Sequence, residues 1–157
     1  PTRRSSDLGY ADLMIAGGSE ATICEIGIAG FASLTALTTE SDPDKASVPF
    51  DKNRSGFVMG EGAGVFILES LAHAQKRGAT ILGEVVGYGA NCDAYHMTAP
   101  NPDGSGAGKA MKLAMQEAAI TPAEVGYINA HGTSTPANDS AEATSIQYGL
   151  GEDYKKP

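Results

Sequence analysis

The chain has 157 residues, enough for one domain of ordinary size, and its 20 glycines imply many tight turns or close backbone contacts. Lys and Arg number 11 and Asp and Glu number 19, so the formal charge is −8, which argues against nucleic acid or an anionic membrane surface as a partner. Two cysteines, Cys24 and Cys92, are too few for a disulfide framework and are expected to be free thiols in a reducing compartment.

The first part of the chain is predicted to combine a short strand with irregular segments. Residues 11–16 form an apolar run that indicates a buried strand, and Gly17 and Gly18 are expected to end it. Residues 19–38 are small and apolar and predict a broken helix. The stretch 40–56 is rich in Asp, Ser and Pro and therefore predicts a loop.

A second strand and a helix are predicted next. Residues 65–68 are apolar and indicate another buried strand, directly after the glycine-rich stretch 60–64. Ser70 is placed to cap a helix over 71–77, and Gly78 is placed to end it.

The rest of the chain is predicted to alternate strands with helices, which favours an α/β fold. The predicted elements are a third strand over 81–90 with close packing or bulges at Gly83 and Gly87, a loop over 91–106, a helix over 107–119, a turn at Pro122, a fourth strand over 125–130, and a helix over 138–148 capped by Asn138 or Asp139.

His131 is the strongest candidate for chemistry. It follows the predicted strand 125–130, and ligands of open α/β sheets bind just beyond the carboxyl ends of strands. Gly132 allows a sharp turn there, and Thr133 and Thr135 present hydroxyls to the same space. A neutral imidazole in this place can donate a hydrogen bond to a developing oxyanion if a backbone group fixes its other nitrogen. The position alone also fits a loop histidine without a role.

Asp139 and Glu142 lie three residues apart and so share a helix face, from which they could orient a cation beside His131. A solvated first turn, favoured by the helix dipole, is the plainer interpretation. Other sites are disfavoured. The stretch 103–110 lacks both the first glycine and the Ser or Thr of a phosphate-binding loop, and no metal-ligand motif is present, so no metal or cofactor is expected.

Four motifs resemble the β-ketoacyl-acyl-carrier-protein synthases, the condensing enzymes of fatty-acid and polyketide synthesis. Residues 129–136 (Asn-Ala-His-Gly-Thr-Ser-Thr-Pro) are similar to the family's first-histidine motif. Residues 16–21 resemble a strand and turn of the family, and residues 50–64 resemble its P-(F/W)-D-x-x-R-x-G-F-V-x-G-E-G-A-G block. Residues 93–100 (Asp-Ala-Tyr-His-Met-Thr-Ala-Pro) resemble the active-site loop of the type II elongating synthase.

The resemblance implies a thiolase-like α/β fold, two similar halves in an αβαβα sandwich, and a cytoplasmic homodimer. It implies an acyltransferase that holds an acyl chain on a cysteine and condenses it with malonyl-acyl-carrier-protein, with loss of CO₂, in fatty-acid elongation. Acyl carrier protein is the implied partner, and no cofactor is implied.

The same resemblance assigns roles to individual residues. His131 matches the catalytic histidine that stabilises the thioester enolate, and Thr133 and Thr135 match the threonines that bind the pantetheine arm. Asp139 and Glu142 match the acidic pair that supports an active-site lysine. The remaining matches are Asp93, His96 and Thr98 in the loop at the pocket mouth, and Asn129 and Ala130 where some members bind a monovalent cation.

The two ends of the chain suggest a fragment. Residues 1–8 resemble a translated adapter oligonucleotide and are set apart from the fold, which leaves 9–157 as a partial ketosynthase domain across the junction of the two halves. Neither Cys24 nor Cys92 lies in the family's nucleophile motif, so the nucleophile is expected upstream. The lysine and the second histidine are expected beyond residue 157, and the chain by itself is expected to be inactive.

Three alternatives remain open at the sequence level. The first is a silent partner of the chain-length-factor type, which keeps the fold but lacks the nucleophile. The second is a ketosynthase domain of a polyketide synthase. The third is a small-ligand-binding α/β domain in which His131 has no catalytic role.

Overall fold

The computed structural model describes residues 9–155, which fall into two compact units. The predicted adapter segment 1–8 lies outside the described residues. One unit is built from the segments before residue 29 and from 59–84, and the other from 29–58 and the residues after 84. Within residues 9–155, no helix is long and apolar enough to cross a membrane.

The first unit contains two antiparallel strands, β1 (Leu13–Glu20) and β2 (Gly62–Glu69). They pair in continuous register from Leu13 opposite Glu69 to Glu20 opposite Gly62. The prediction that Gly17 and Gly18 end the first strand is therefore wrong. The pairing carries both glycines through the ladder, because each non-proline residue of a strand can donate and accept backbone hydrogen bonds whatever its side chain.

Both strands were predicted to be buried, and that prediction is also wrong. Ile15 and Phe66 each remain 70% exposed. A pair of strands buries its apolar side chains only when another layer packs on it, and residues 9–155 leave these side chains exposed. The apolar runs thus predicted the strands correctly but not their burial.

Helices of the first part of the chain follow the predictions approximately. Helix α1 (Glu25–Ser33) lies inside the predicted broken helix 19–38. A one-turn helix, α2 (Pro43–Ala46), interrupts the predicted loop 40–56, because Asp42 accepts a hydrogen bond from the backbone N–H of Asp44 at 3.1 Å.

Helix α3 (Leu71–Lys76) begins directly after Ser70, as predicted, and Gly78 with φ +67° follows its end. The Ser70 side chain makes no capping bond, and the Ser70 backbone N–H instead donates to the Asp12 carbonyl. Arg77 at the end of the helix donates two hydrogen bonds to Glu69, at 2.7 and 2.6 Å, and His73 Nδ1 also contacts this carboxylate. Glu69 therefore fastens the helix to the end of β2.

The second unit is organised around two packed helices, α4 (Ser105–Ala118) and α5 (Pro136–Leu150). Helix α4 begins two residues before the helix predicted over 107–119 and ends one residue before its end, and α5 is two residues longer at each end than the helix predicted over 138–148. Neither predicted cap is correct for α5, because Thr135 takes that position and its Oγ1 accepts from the Asn138 N–H at 3.2 Å. The proline at the first position of α5 has no N–H to satisfy, so it favours a helix start at 136.

Three shorter features complete the second unit. A 3₁₀ turn (Pro122–Glu124) lies at the predicted turn, and a second one (Gly151–Lys155) follows α5. Leu37 and Phe57 form an isolated parallel bridge.

The strands predicted over 81–90 and 125–130 are not strands in the structure, because neither segment pairs with another strand among residues 9–155. In segment 81–90, Gly87 packs against the backbone of α4, because a β-carbon at this position would lie 2.1 Å from the Ala114 carbonyl oxygen. The backbone N–H of Tyr88 donates to Glu117 of α4 at 2.6 Å. The close packing predicted at Gly87 is confirmed. A β-carbon at Gly83, in contrast, would meet no described atom within 4 Å.

Candidate active site

A strained turn precedes helix α5 and carries His131. Gly132 has φ +50° and Ser134 has φ +67°. A β-carbon at Gly132 would make ordinary contacts with the rings of Phe50 and Pro49, both at 3.5 Å, so the positive φ rather than the space favours glycine here. A serine in the left-handed region is uncommon and persists only where its surroundings hold it.

Glu142 binds the backbone on either side of the His131 α-carbon. Its Oε1 accepts from the His131 N–H at 2.7 Å and its Oε2 accepts from the Gly132 N–H at 2.8 Å. The Asn138 side-chain amide donates to Oε2 as well, at 3.3 Å. The carboxylate therefore binds the turn from the first turns of α5.

Asp139 ties the same turn to a distant segment. It is 1% exposed, and its Oδ1 accepts from the Ser134 N–H at 3.2 Å, while its Oδ2 accepts from the Phe50 N–H at 2.7 Å. Arg54 Nε lies 3.5 Å from Oδ2. The interpretation of this carboxylate as part of a solvated helix turn is therefore wrong, because burial leaves it no access to water.

Arg54 reaches the beginning of α5 with its whole guanidinium group. Its Nε donates to the Thr135 carbonyl at 3.3 Å, and its Nη2 donates to the Pro136 carbonyl at 3.0 Å and to Ser140 Oγ at 2.8 Å. Its Nη1 returns to the Asp51 carbonyl of its own loop at 2.9 Å. Only 16% of the side chain is exposed, so these contacts are held away from most of the solvent.

Ser134 is the centre of this arrangement and is completely buried. Its Oγ accepts from the Val48 N–H at 3.1 Å, and its carbonyl accepts from the Gly56 N–H at 3.1 Å. The loop over 48–56 is thereby bound to the turn at both of its ends.

The two threonines point into one space, as predicted. Thr133 Oγ1 and Thr135 Oγ1 lie 2.8 Å apart and share a hydrogen bond. The Thr135 hydroxyl also caps α5, and Thr133 Oγ1 also accepts from the Thr135 N–H at 3.3 Å. Thr133 lines a neighbouring cleft.

That cleft has a volume of about 480 Å³ and is lined by both apolar and polar residues. Its apolar lining consists of Val58 and of Phe31 and Phe57, which pack edge to face at 5.2 Å between ring centroids. His131 and Thr133 line the same cleft. The His131 side chain is exposed, and the part of the chain that the structure describes gives its ring nitrogens no hydrogen-bond partner. The backbone contact expected to fix the imidazole is therefore absent from residues 9–155.

The predicted pocket-mouth loop is ordered by its own side chains. His96 Nδ1 accepts from the N–H groups of Thr98 and Ala99, at 3.2 and 3.1 Å, which places the proton of the neutral ring on Nε2. Asp93 accepts from Tyr95 and Asn101, both at 3.2 Å. The hydrogen bonds described for these side chains stay within the loop and do not reach the His131 turn.

Sequence reasoning missed Arg54, Ser134 and Phe50. Arg54 and Phe50 were visible only as letters of a family block, without a partner to suggest a role. The positive φ of Ser134 and of Phe50, at +64°, has no signal in residue type, because serine and phenylalanine ordinarily avoid that region.

Two models of one protein family match the chain, one before residue 75 and the other after residue 81. Residues 3–74 match the model of the beta-ketoacyl synthase N-terminal domain, and residues 82–157 match that of the C-terminal domain. The chain belongs to the β-ketoacyl synthase family. The motif-based recognition and the predicted thiolase-like fold class are therefore confirmed.

Individual family members show how far the likeness extends. The chain is 57% identical over 144 residues to a 3-oxoacyl-[acyl-carrier-protein] synthase 2 of Synechocystis sp., covering 91% of this chain and 35% of the relative. A synthase 2 of Vibrio cholerae is 54% identical over 145 residues, with 92% and 35% covered. Among solved structures, the chain is similar to one from AntDE:AntF, a type II polyketide synthase acyl-carrier protein in complex with its ketosynthase. The TM-score is 0.92 at 42% identity, and the match covers 96% of this chain and 38% of the other. The chain thus spans about a third of the length of these β-ketoacyl synthases.

Proposed function

We propose that this chain is part of a 3-oxoacyl-[acyl-carrier-protein] synthase that elongates fatty acids by decarboxylative condensation. The observation that carries the proposal is that His131 lines a cleft with apolar residues, while Glu142 accepts hydrogen bonds from the backbone N–H groups of His131 and Gly132. Its relatives are 3-oxoacyl-[acyl-carrier-protein] synthases, which supports the same reaction class.

The reaction places a defined demand on His131. In a malonyl thioester the bond between the α-carbon and the carboxylate breaks, CO₂ leaves, and the electron pair stays on the α-carbon as an enolate. The enolate oxygen gains negative charge, and a neutral imidazole N–H of His131 donates a hydrogen bond to it. The α-carbon then attacks the acyl thioester on the enzyme cysteine, which forms a carbon–carbon bond and releases the thiolate.

The surroundings of His131 suit a carrier-bound substrate. The apolar side chains that line the cleft, Phe31, Phe57 and Val58, suit an acyl chain, since burying each methylene group contributes about 0.8 kcal/mol. Thr133 lines the same cleft, and we assign its hydroxyl, which is shared with Thr135 in this structure, to the amides of a pantetheine arm. Acyl carrier protein is the partner we propose, and a ketosynthase structure of similar fold was solved with its carrier protein. A homodimer, a cytoplasmic location and support of a lysine by Asp139 and Glu142 stay predictions from the resemblance.

The test replaces the imidazole in the complete protein that the full reading frame encodes. We expect His131→Ala to slow decarboxylation of malonyl-acyl-carrier-protein by about 10²–10³-fold, the usual effect of losing one oxyanion donor. Transfer of an acyl group to the enzyme thiol should keep its rate, because that step does not form the enolate. Lys52→Ala is the matched control, since Lys52 is an exposed side chain near the same site.

Two results would contradict the proposal. Decarboxylation at the wild-type rate in His131→Ala would leave the histidine without a role and favour a binding domain. A complete reading frame without a cysteine at the nucleophile position would favour a silent partner of the chain-length-factor type.

A further inference from the structure

We infer that Arg54 is a positioning residue for the condensation step, because it sets the backbone that carries His131. The inference rests on the proposed function of His131. Arg54 has no contact with the cleft, so its effect must pass through the turn and the first turn of α5.

The location of Arg54 is electrostatically unusual. The N-terminus of a helix carries partial positive charge and disfavours a cation. Arg54 nevertheless donates to the carbonyls of Thr135 and Pro136 at the start of α5. Its charge is offset by Asp139, whose buried carboxylate lies 3.5 Å from Nε. The guanidinium thus serves as a linker between the carboxylate and the helix start, a geometry that only a planar fork of donors provides.

The Asp139 carboxylate, which forms an ion pair with Arg54, binds the backbone of two residues in uncommon conformations. Ser134 and Phe50 have φ values of +67° and +64°, and the N–H of each donates to Asp139. Residues in this region persist when several contacts over-determine them, and such residues cluster at active sites. If the Asp139 carboxylate rotates, both hydrogen bonds are lost and the turn can relax.

A relaxed turn would move His131 by a direct covalent route. Ser134 is three residues from His131, and the N–H of Gly132 between them donates to Glu142 of α5. Because Arg54 also donates to Pro136 and Ser140 of the same helix, one side chain acts on both anchors of the histidine. A misplacement of about 1 Å from a distant change can cost about 10²-fold in rate.

The experiment compares two half-reactions in the complete protein: acyl transfer to the enzyme thiol, and decarboxylation of malonyl-acyl-carrier-protein. For Arg54→Ala we expect kcat of decarboxylation to fall by about 10²-fold with KM nearly unchanged, while acyl transfer keeps its rate. Guanidinium ion at millimolar concentration should restore part of the decarboxylation rate. Lys52→Ala, which removes a cation from the same loop, should change neither half-reaction and should not respond to guanidinium.

Arg54→Lys keeps the positive charge but not the planar set of guanidinium donors. It allows the same two rates to be measured if Arg54→Ala does not fold. A ratio of decarboxylation to acyl transfer below that of the wild type supports the inference. An equal loss of both half-reactions, or no loss of either, overturns it, because a general structural role lowers both rates by the same fraction. The parallel His131→Ala variant separates the two failures: if it decarboxylates normally, the proposed function itself is wrong.

Discussion

Glu142 and Asp139 both use their carboxylates to bind backbone N–H groups in and around the turn that carries His131. Glu142 accepts from two consecutive N–H groups, and Asp139 accepts from two N–H groups that are far apart in sequence. Sequence reasoning identified both residues because they share one helix face with the right spacing. It could not predict the role of Arg54, since that role depends on a contact between loops 81 residues apart.

Glu142→Gln tests the carboxylate without changing its shape. A glutamine oxygen can accept from one N–H group, but its NH₂ group then faces the other and leaves it unpaired. We expect the complete protein to lose about 1–3 kcal/mol in the free energy of unfolding and to decarboxylate more slowly. Urea unfolding and the decarboxylation assay measure the two effects.

Glu152→Gln is the control for that change, because Glu152 is exposed after the end of α5. If Glu142→Gln matched this control in both measurements, the two hydrogen bonds would have no part in positioning His131.

Elements with local signals were predicted well, and elements with distant partners were not. Helices α3, α4 and α5 lie within a few residues of their predictions, because apolar periodicity and terminal Gly and Pro act within a few residues. A strand forms its hydrogen bonds with another segment, so the apolar stretches 81–90 and 125–130 predicted strands that residues 9–155 leave unpaired.

The contacts of Glu69, where β2 meets α3, predict that the stability of the fold depends on pH. Hydrogen bonds from Arg77 first, and then from His73, lower the pKa of Glu69 from its ordinary 4.5 to about 2. A carboxylate with a lower pKa in the folded state stabilises the fold fully above pH 4.5, and this contribution is lost as the pH falls from 4.5 through 2. Glu69→Gln should therefore be less stable than the wild type at pH 6, and the difference should shrink as the pH falls to 3.

Thermal unfolding of the complete protein, with and without this change, measures the difference across this pH range. Glu84→Gln, an exposed change in the same unit, serves as the comparison. A stability gap for Glu69→Gln that stays constant from pH 6 to 3 would show that the ion pair does not respond to protonation of Glu69.

At the scale of the whole molecule, the dominant feature is that far more large apolar side chains are exposed than buried among the described residues. Among residues 9–155, the buried apolar side chains are those of Ala74, Ala141 and Leu150. Large apolar side chains such as Phe66 and Leu82 are exposed, the latter at 95%. Exposed apolar surface on this scale is typical of a surface that other protein covers.

We therefore expect residues 1–157, when produced by themselves, to be poorly soluble or to form a molten state without condensing activity. The measurements are binding of a hydrophobic dye, near-ultraviolet circular dichroism and a thermal scan. A sharp cooperative melt of a monomer that does not bind the dye would contradict this expectation.

The contacts around Ser134 also have a consequence for folding. The hydrogen bonds that join the turn to the loop over 48–56 connect residues 81, 86 and 89 positions apart in the chain. Closing loops of that length costs entropy before any contact repays it, and folds rich in such contacts form slowly. During synthesis the loop over 48–56 therefore cannot form these hydrogen bonds until the ribosome has released the residues through Glu142. Until then, Phe50 and Arg54 lack their contacts with the turn and α5. The histidine would be among the last parts of this region to reach its working position.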